Sequence, residues 1–192
     1  MNARTWLETL VGFDTTSRNS NLALIETVRD WLKGQGVDAW LAHNPERTKA
    51  NLFATLPAQD GGMQGGIVLS GHTDVVPVDG QEWSTDPFKL VEKDGLLYGR
   101  GSCDMKGFIA SSLAMVPEFL AMPRKKPMHL AFSYDEEVAA PARPTCWPTC
   151  TNAASAPKAA WWASPPACRW WWRTRASTCS AARCTARRRT RR

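Results

Sequence analysis

Ile67-Val68-Leu69-Ser70-Gly71-His72-Thr73-Asp74 is the stretch from which the rest of the chain is read. Its apolar start has strand length and no polar interruption, as expected of a strand buried on both faces. Its end delivers a His and an Asp two residues apart, which an extended backbone projects to the same side. Downstream, Tyr98-Gly99-Arg100-Gly101-Ser102-Cys103-Asp104-Met105-Lys106-Gly107 delivers another Asp from a glycine-rich turn. Tyr134-Asp135-Glu136-Glu137 then adds three consecutive carboxylates. Imidazole and carboxylate groups set at strand ends and turns are the donors of protein metal sites.

Toward the N-terminus, Trp6, Leu7, Leu10 and Val11 make the stripe of a short amphipathic helix. Thr15 to Asn21 is a polar connection rich in N-cap residues. A second helix carries Leu22, Ile25, Val28 and Leu32 and stops at Gly34-Gln35-Gly36. Val37 to Leu41 and Leu52 to Leu56 read as strands, with Asn44-Pro45 turning between them. On the other side of the opening stretch, Phe88 to Val91 and Leu96 to Tyr98 flank Lys93-Asp94-Gly95, a predicted hairpin. Asp104 is predicted at the head of a helix running to Leu120, which Pro117 should bend or interrupt. Met128 to Tyr134 is a further strand. Helices and strands alternate, so the fold class is α/β.

The composition divides sharply. All 18 acidic residues lie at or before Glu137, against 13 of the 24 Lys and Arg, while the other 11 basic residues follow Val138 with no acid beside them. Five of the six Cys and six of the ten Trp also lie in that last part. A single cysteine before position 139 excludes a disulfide framework there, and a reducing cytoplasm is the expected compartment. The N-terminus lacks the apolar core of a signal peptide, and no run approaches the ~20 apolar residues of a membrane helix.

Taken singly, each candidate has an ordinary structural explanation. A His near a strand end is commonly a hydrogen-bonded framework residue, Asp104 would be a helix N-cap, and Asp135-Glu136-Glu137 a solvated turn. Gly99-Arg100-Gly101 invites a phosphate-loop reading, but Asp104 stands where the third glycine of that motif belongs. Together and in this order, Gly71-His72-Thr73-Asp74, Gly99 to Gly107 and Asp135-Glu136-Glu137 resemble the M20 family of zinc-dependent amidohydrolases and peptidases. Asn51-Leu52-Phe53-Ala54-Thr55, Asp86-Pro87-Phe88 and Ser133 to Val138 extend the resemblance over most of residues 1–138.

The resemblance implies the N-terminal part of an M20-type catalytic domain, a mixed sheet flanked by helices. It implies two Zn2+ ions, with Co2+ as a possible substitute. Asp104 would bridge the ions, His72 would ligate one and Glu137 the other. Asp74 would orient His72, and Glu136 would be the general base and then the acid. A cis peptide bond after the bridging aspartate is implied at Asp104–Met105. The closest likeness within the family implies a small N-acyl amino acid as partner, with hydrolysis of N2-acetyl-L-ornithine to L-ornithine and acetate. Succinyl-diaminopimelate is the alternative substrate. Intact relatives are homodimers, and the dimerisation domain is expected to be absent here.

After Val138 the text changes character: Trp161-Trp162, Trp170-Trp171-Trp172 and Arg187-Arg188-Arg189 follow no helical or strand period. Tryptophan has one codon, TGG, and adjacent copies read one base earlier give valine. Shifted in this way, the text from Trp161 can read V-V-G-E-P-T, a segment resembling the one that supplies the family's next metal-binding glutamate. That glutamate would fall across Ala163 and Ser164. We therefore expect a one-base frameshift just after Val138, a disordered tail over 139–192, an open sheet edge on the preceding part, and an incomplete, inactive metal site. A different class, a nucleic-acid or membrane binder using the basic Trp-rich tail, would exploit phosphate contact and base stacking. The acidic first part argues against that role, so neither a specific nucleic acid nor a membrane is expected as partner.

Overall fold

The computed structural model describes residues 1–138 and the backbone of two short strands at 159–162 and 171–172. Helix α1 (Ala3–Val11) starts at Asn2, whose side chain accepts from the Thr5 N–H at 2.9 Å. This satisfies one of the donors that a helix start leaves unpaired. Helix α2 (Leu22–Gly34) ends before Gly36, which takes φ +76°. Strands β1 (Ala39–His43), β2 (Ala50–Leu56) and β3 (Ile67–His72) follow. The hairpin β4 (Val91–Lys93) and β5 (Leu96–Tyr98) turns at Asp94-Gly95, both with positive φ, as a two-residue turn matched to strand twist requires.

Helix α3 (Gly107–Ala114) and helix α4 (Val116–Ala121) meet at Met115, with Pro117 in the first turn of α4. The expected interruption is therefore present, and it places proline where a missing N–H costs nothing. Asp104 does not head a helix. Ser102–Lys106 forms a turn in which Asp104 and Met105 have non-helical dihedrals, and the peptide bond joining them is cis. The first strand begins two residues later than predicted, at Ala39, and the hairpin's first strand is Val91–Lys93 rather than Phe88 to Val91.

Strand β6 (Met128–Ser133) lies between β2, to which it is antiparallel, and β3, to which it is parallel. With β7 (Ala159–Trp162) and β8 (Trp171–Trp172) the sheet order is β1-β2-β6-β3-β7-β8. The open edge expected beside β3 is thus occupied: β7 pairs with it in parallel, Leu69 opposite Trp161 and Ser70 opposite Trp162. Beyond these two strands, the expectation of a disordered tail falls outside the described residues. No helix among the described residues is long and apolar enough to cross a membrane.

Strand alternation sorts the side chains. Leu52, Ala54 and Leu56 of β2 and Leu130 and Phe132 of β6 join Trp6, Leu10, Ile25, Val28, Leu32, Ile109 and Leu113 in one core. Phe53, Val68 and Ala131 form a separate small cluster, as the period of two places them on the opposite face. Helices α1, α2 and α3, with Val116 of α4, therefore pack in the core on one face of the sheet, and the strand ends, where Asp74 and Glu136 follow β3 and β6, are left to loops.

Lys106 is buried with its Nζ donating to the Phe13 carbonyl at 2.8 Å. Burial depresses its pKa from 10.5 to about 7, against a weaker upward pull from Asp14. Because the folded value lies below the unfolded one, the penalty for enclosing the ammonium is fully present below pH 7 and fades as pH rises toward 10.5. Lys106→Met is therefore expected to stabilise the chain near neutrality, and the gain should shrink with rising pH. Urea unfolding of both chains at about pH 6 and about pH 9.5 measures the difference.

Candidate metal centre

The loop Thr15 to Ser17 is laced to the continuation of β3. Thr15 Oγ1 donates to the Thr73 carbonyl at 2.6 Å, the Val75 N–H donates to Thr15, and the Ser17 N–H donates to Val75. Asn21 is not spent on capping α2. Its buried amide exchanges hydrogen bonds with Ala50 and donates to Thr73 Oγ1 at 3.0 Å. Thr73 in turn donates from both N–H and Oγ1 to the Ser133 carbonyl at 2.8 Å. Four separate stretches of chain are thereby fixed to one another before any charged group is considered.

His72, the last residue of β3, is buried, with Nδ1 3.0 Å from the Asp74 carbonyl and 3.4 Å from Asp74 Oδ1. Its Nε2 lies 3.0 Å from Asp104 Oδ1. Asp104 reaches it because the glycine-rich turn packs tightly. A Cβ on Gly101, which has φ +74°, would stand 2.4 Å from the Val75 side chain. No other residue meets both demands without displacing that turn.

The Asp74 carboxylate is the centre of the arrangement. It accepts from Ser17 Oγ at 2.7 Å and from the N–H groups of Glu136 and Glu137, each at 3.1 Å. The expected contact with His72 is present, but the shorter one comes from the Asp74 backbone carbonyl. Holding the Glu136–Glu137 turn is a task that the spacing of the motifs did not disclose. Donor atoms of His72, Glu136 and Glu137 all lie within 4.8 Å of one another. The structure thus brings together His72, Asp74, Asp104, Glu136 and Glu137, and groups Glu136 with the potential ligands. Ser17 was not singled out from sequence. Its only signal was membership of a polar stretch with an unusual density of hydroxyls.

Four carboxylates around one imidazole make a site short of positive charge. Burial pushes the His72 pKa down, but hydrogen bonds and charge from Asp74, with Asp104 and Glu136, outweigh it and raise it to about 9. Burial likewise pulls Asp74 up, and the hydrogen bonds from His72, Ser17 and the two N–H groups hold it below its ordinary value. Burial raises Glu137; His72 opposes the rise, and the neighbouring carboxylates add to it. This donor set fits a divalent cation. The donor atoms gathered closely enough to share one ion are those of His72, Glu136 and Glu137, while Asp104 meets the site through His72 Nε2. A second complete ligand set is not found among the described residues.

Residues 68–154 match the sequence profile of peptidase family M20/M25/M40. The chain is 41% identical over 125 residues to an acetylornithine deacetylase of Proteus mirabilis (strain HI4320), covering 65% of this chain and 31% of that protein. It is 40% identical over 130 residues to the acetylornithine deacetylase of Pasteurella multocida (strain Pm70), covering 67% and 33%. The chain therefore spans about a third of the length of the curated relatives it matches. Human carnosine dipeptidase 1 shares the fold with a TM-score of 0.60 at 24% identity, over 71% of this chain and 32% of that one. Aminopeptidase PepT of Bacillus cereus ATCC 10987 does so with a TM-score of 0.61 at 19% identity, over 84% and 42%.

In the metal-free chain the His72 imidazole is expected to titrate near pH 9. The stability it contributes is fully present below its ordinary value of 6.5 and is lost as pH rises through about 9. Asp74→Asn should lower the midpoint by about one unit or more. Imidazole NMR titration of both chains reads the shift, and an unchanged midpoint would remove Asp74 as its cause.

Proposed function

Since residues 68–154 belong to peptidase family M20/M25/M40, we propose that this chain carries the N-terminal part of a metal-dependent deacylase. Its reaction is the hydrolysis of N2-acetyl-L-ornithine to L-ornithine and acetate. The observation that carries this reading is the convergence of His72, Asp104, Glu136 and Glu137 at the ends of β3 and β6 and on the glycine-rich turn. The substrate rests on relatives about 40% identical over their shared part.

In this reading His72 and Glu137 would each help to hold a divalent ion, and Asp104 would serve both. Zinc or cobalt, when bound, polarises the amide carbonyl and acidifies a water molecule. The remaining steps belong to the chain. Glu136 takes one proton of the attacking water on a carboxylate oxygen as the water oxygen bonds to the acyl carbon, and delivers it to the amine nitrogen as the C–N bond breaks; the water's second proton follows to the same nitrogen, so that acetate and an ammonium group leave. Asp74 keeps the Glu136 backbone and the His72 ring in register. Because His72 carries a proton below about pH 9, a metal taking Nε2 must displace it, and affinity should rise with pH up to that point.

The residues after Val138 include no Asp, Glu or His, so they offer neither imidazole nor carboxylate side chains to complete a two-ion site. We attribute this to a one-base frameshift, which nucleotide sequencing across the Val138 junction tests directly; an undisturbed frame would sink it. The chain as it stands should show no zinc- or cobalt-dependent release of acetate from N2-acetyl-L-ornithine, whereas a gene with the frame restored should. Robust turnover by the 192-residue chain would show that its site needs nothing more. In the restored enzyme, Glu136→Gln should lower kcat by about 10²–10⁴-fold, with metal content unchanged.

A further inference from the structure

Lys49, immediately before β2, has no part in the chemistry described so far. Its Nζ is 2.5 Å from Asp135 Oδ1, and the two side chains are only 15% and 18% exposed. The same Nζ donates to the Ser17 backbone carbonyl and lies 5.8 Å from the centroid of the Tyr134 ring. Its ion-pair partner is Asp135, which leaves Glu136 and Glu137 free of it. Asp135 itself sits at φ +61°, a left-handed conformation that aspartate adopts more readily than most residues with a Cβ.

These contacts close a ring. Ser17 Oγ donates to Asp74, Asp74 accepts the N–H groups of Glu136 and Glu137, and Asp135 precedes them in the same turn. The Asp135 side chain meets Lys49, and Lys49 returns to the carbonyl of Ser17. Ser17 is therefore bound at both ends of the circuit, once through its hydroxyl and once through its backbone. The turn sets three consecutive carboxylates close to Asp74 and Asp104, and like charge from Asp104, Glu136 and Asp74 acts on Glu137. With the ring closed, one cation neutralises the carboxylate that the site does not use, and two N–H groups aim the backbone of the pair that it does.

We propose that Lys49 and Ser17 are positioning residues whose closed circuit fixes the Asp135–Glu137 turn, so that Glu136 and Glu137 stand beside His72 before any cation binds. This deepens the deacylase reading, on which the importance of those two carboxylates rests. Groups behind the ligands commonly set ligand geometry in this way.

The test is amide hydrogen exchange on the metal-free 192-residue chain, comparing it with K49M, S17A and the double variant. The Glu136 and Glu137 amides should be protected in the parent and exchange about tenfold faster or more in each single variant, while the amides of β2 and β6 change by less than about twofold. Because both substitutions cut one ring, the double variant should exchange no more than about twofold faster than the faster single. Unprotected Glu136 and Glu137 amides in the parent would overturn the proposal. So would unchanged exchange in either single variant, acceleration spread evenly through the sheet, or multiplicative effects in the double. The readout uses neither substrate nor metal. Its failure would leave the deacylase reading standing, and an inactive frame-restored enzyme would leave the circuit standing.

Discussion

Everything in the candidate centre hangs on one buried carboxylate. Asp74 is 2% exposed and accepts a hydroxyl from the N-terminal polar loop and two backbone N–H groups from the turn after β6. A carboxylate in such a place is costly unless its lone pairs are occupied, and here the groups that occupy them are the ones the site needs held. The same hydrogen bonds keep it ionised and hold the acidic turn in place. Replacing it by a neutral isostere would therefore disturb the ring electrostatics of His72 and the placement of Glu136 and Glu137 together.

The charge balance of the centre follows from this geometry. Asp74, Asp104, Glu136 and Glu137 surround a single imidazole, and the proton that His72 retains up to about pH 9 takes the place of a stronger positive charge. Hydrogen bonding to Asp104 occupies the Nε2 atom that a metal ion would claim. His72, Asp104, Glu136 and Glu137 are thus already gathered around that nitrogen by hydrogen bonds and backbone ties within the chain itself.

Much of this was legible in the chain before its fold was known, and the division has a physical cause. Local patterns carried α1, α2, the Asp94-Gly95 hairpin and the break at Pro117, because each depends on residues a few positions apart. The α/β class and the mixed sheet followed from alternating segments and from the family resemblance, which the sequence match supports. The polar connection Thr15 to Asn21 did not reveal the use of Asn21, because a short polar side chain at a helix start serves equally well as a cap or as a tertiary tie, and only the approach of Ala50 and Thr73 decides. Ser17 and Lys49 were invisible for a related reason. Their partners lie 57 and 86 residues away, and no spacing rule reaches that far.

The position of β6 carries a consequence for how the chain is born. It is the last long strand of the first 138 residues, yet it lies between β2 and β3 and pairs with both. Until Met128–Ser133 has left the ribosome, β1 and β2 can form only a hairpin and β3 has neither of its two neighbours, β6 and β7. Contacts of such long sequence separation are slow to close, so the nascent chain must keep its apolar strands apart for most of its synthesis. Insertion of one late strand then joins two waiting pieces and, in the following four residues, brings the acidic turn to Asp74. For this chain, the joining of β1 and β2 to β3 and the gathering of the centre wait on the same late strand, and β7 and β8 can extend the sheet only after it.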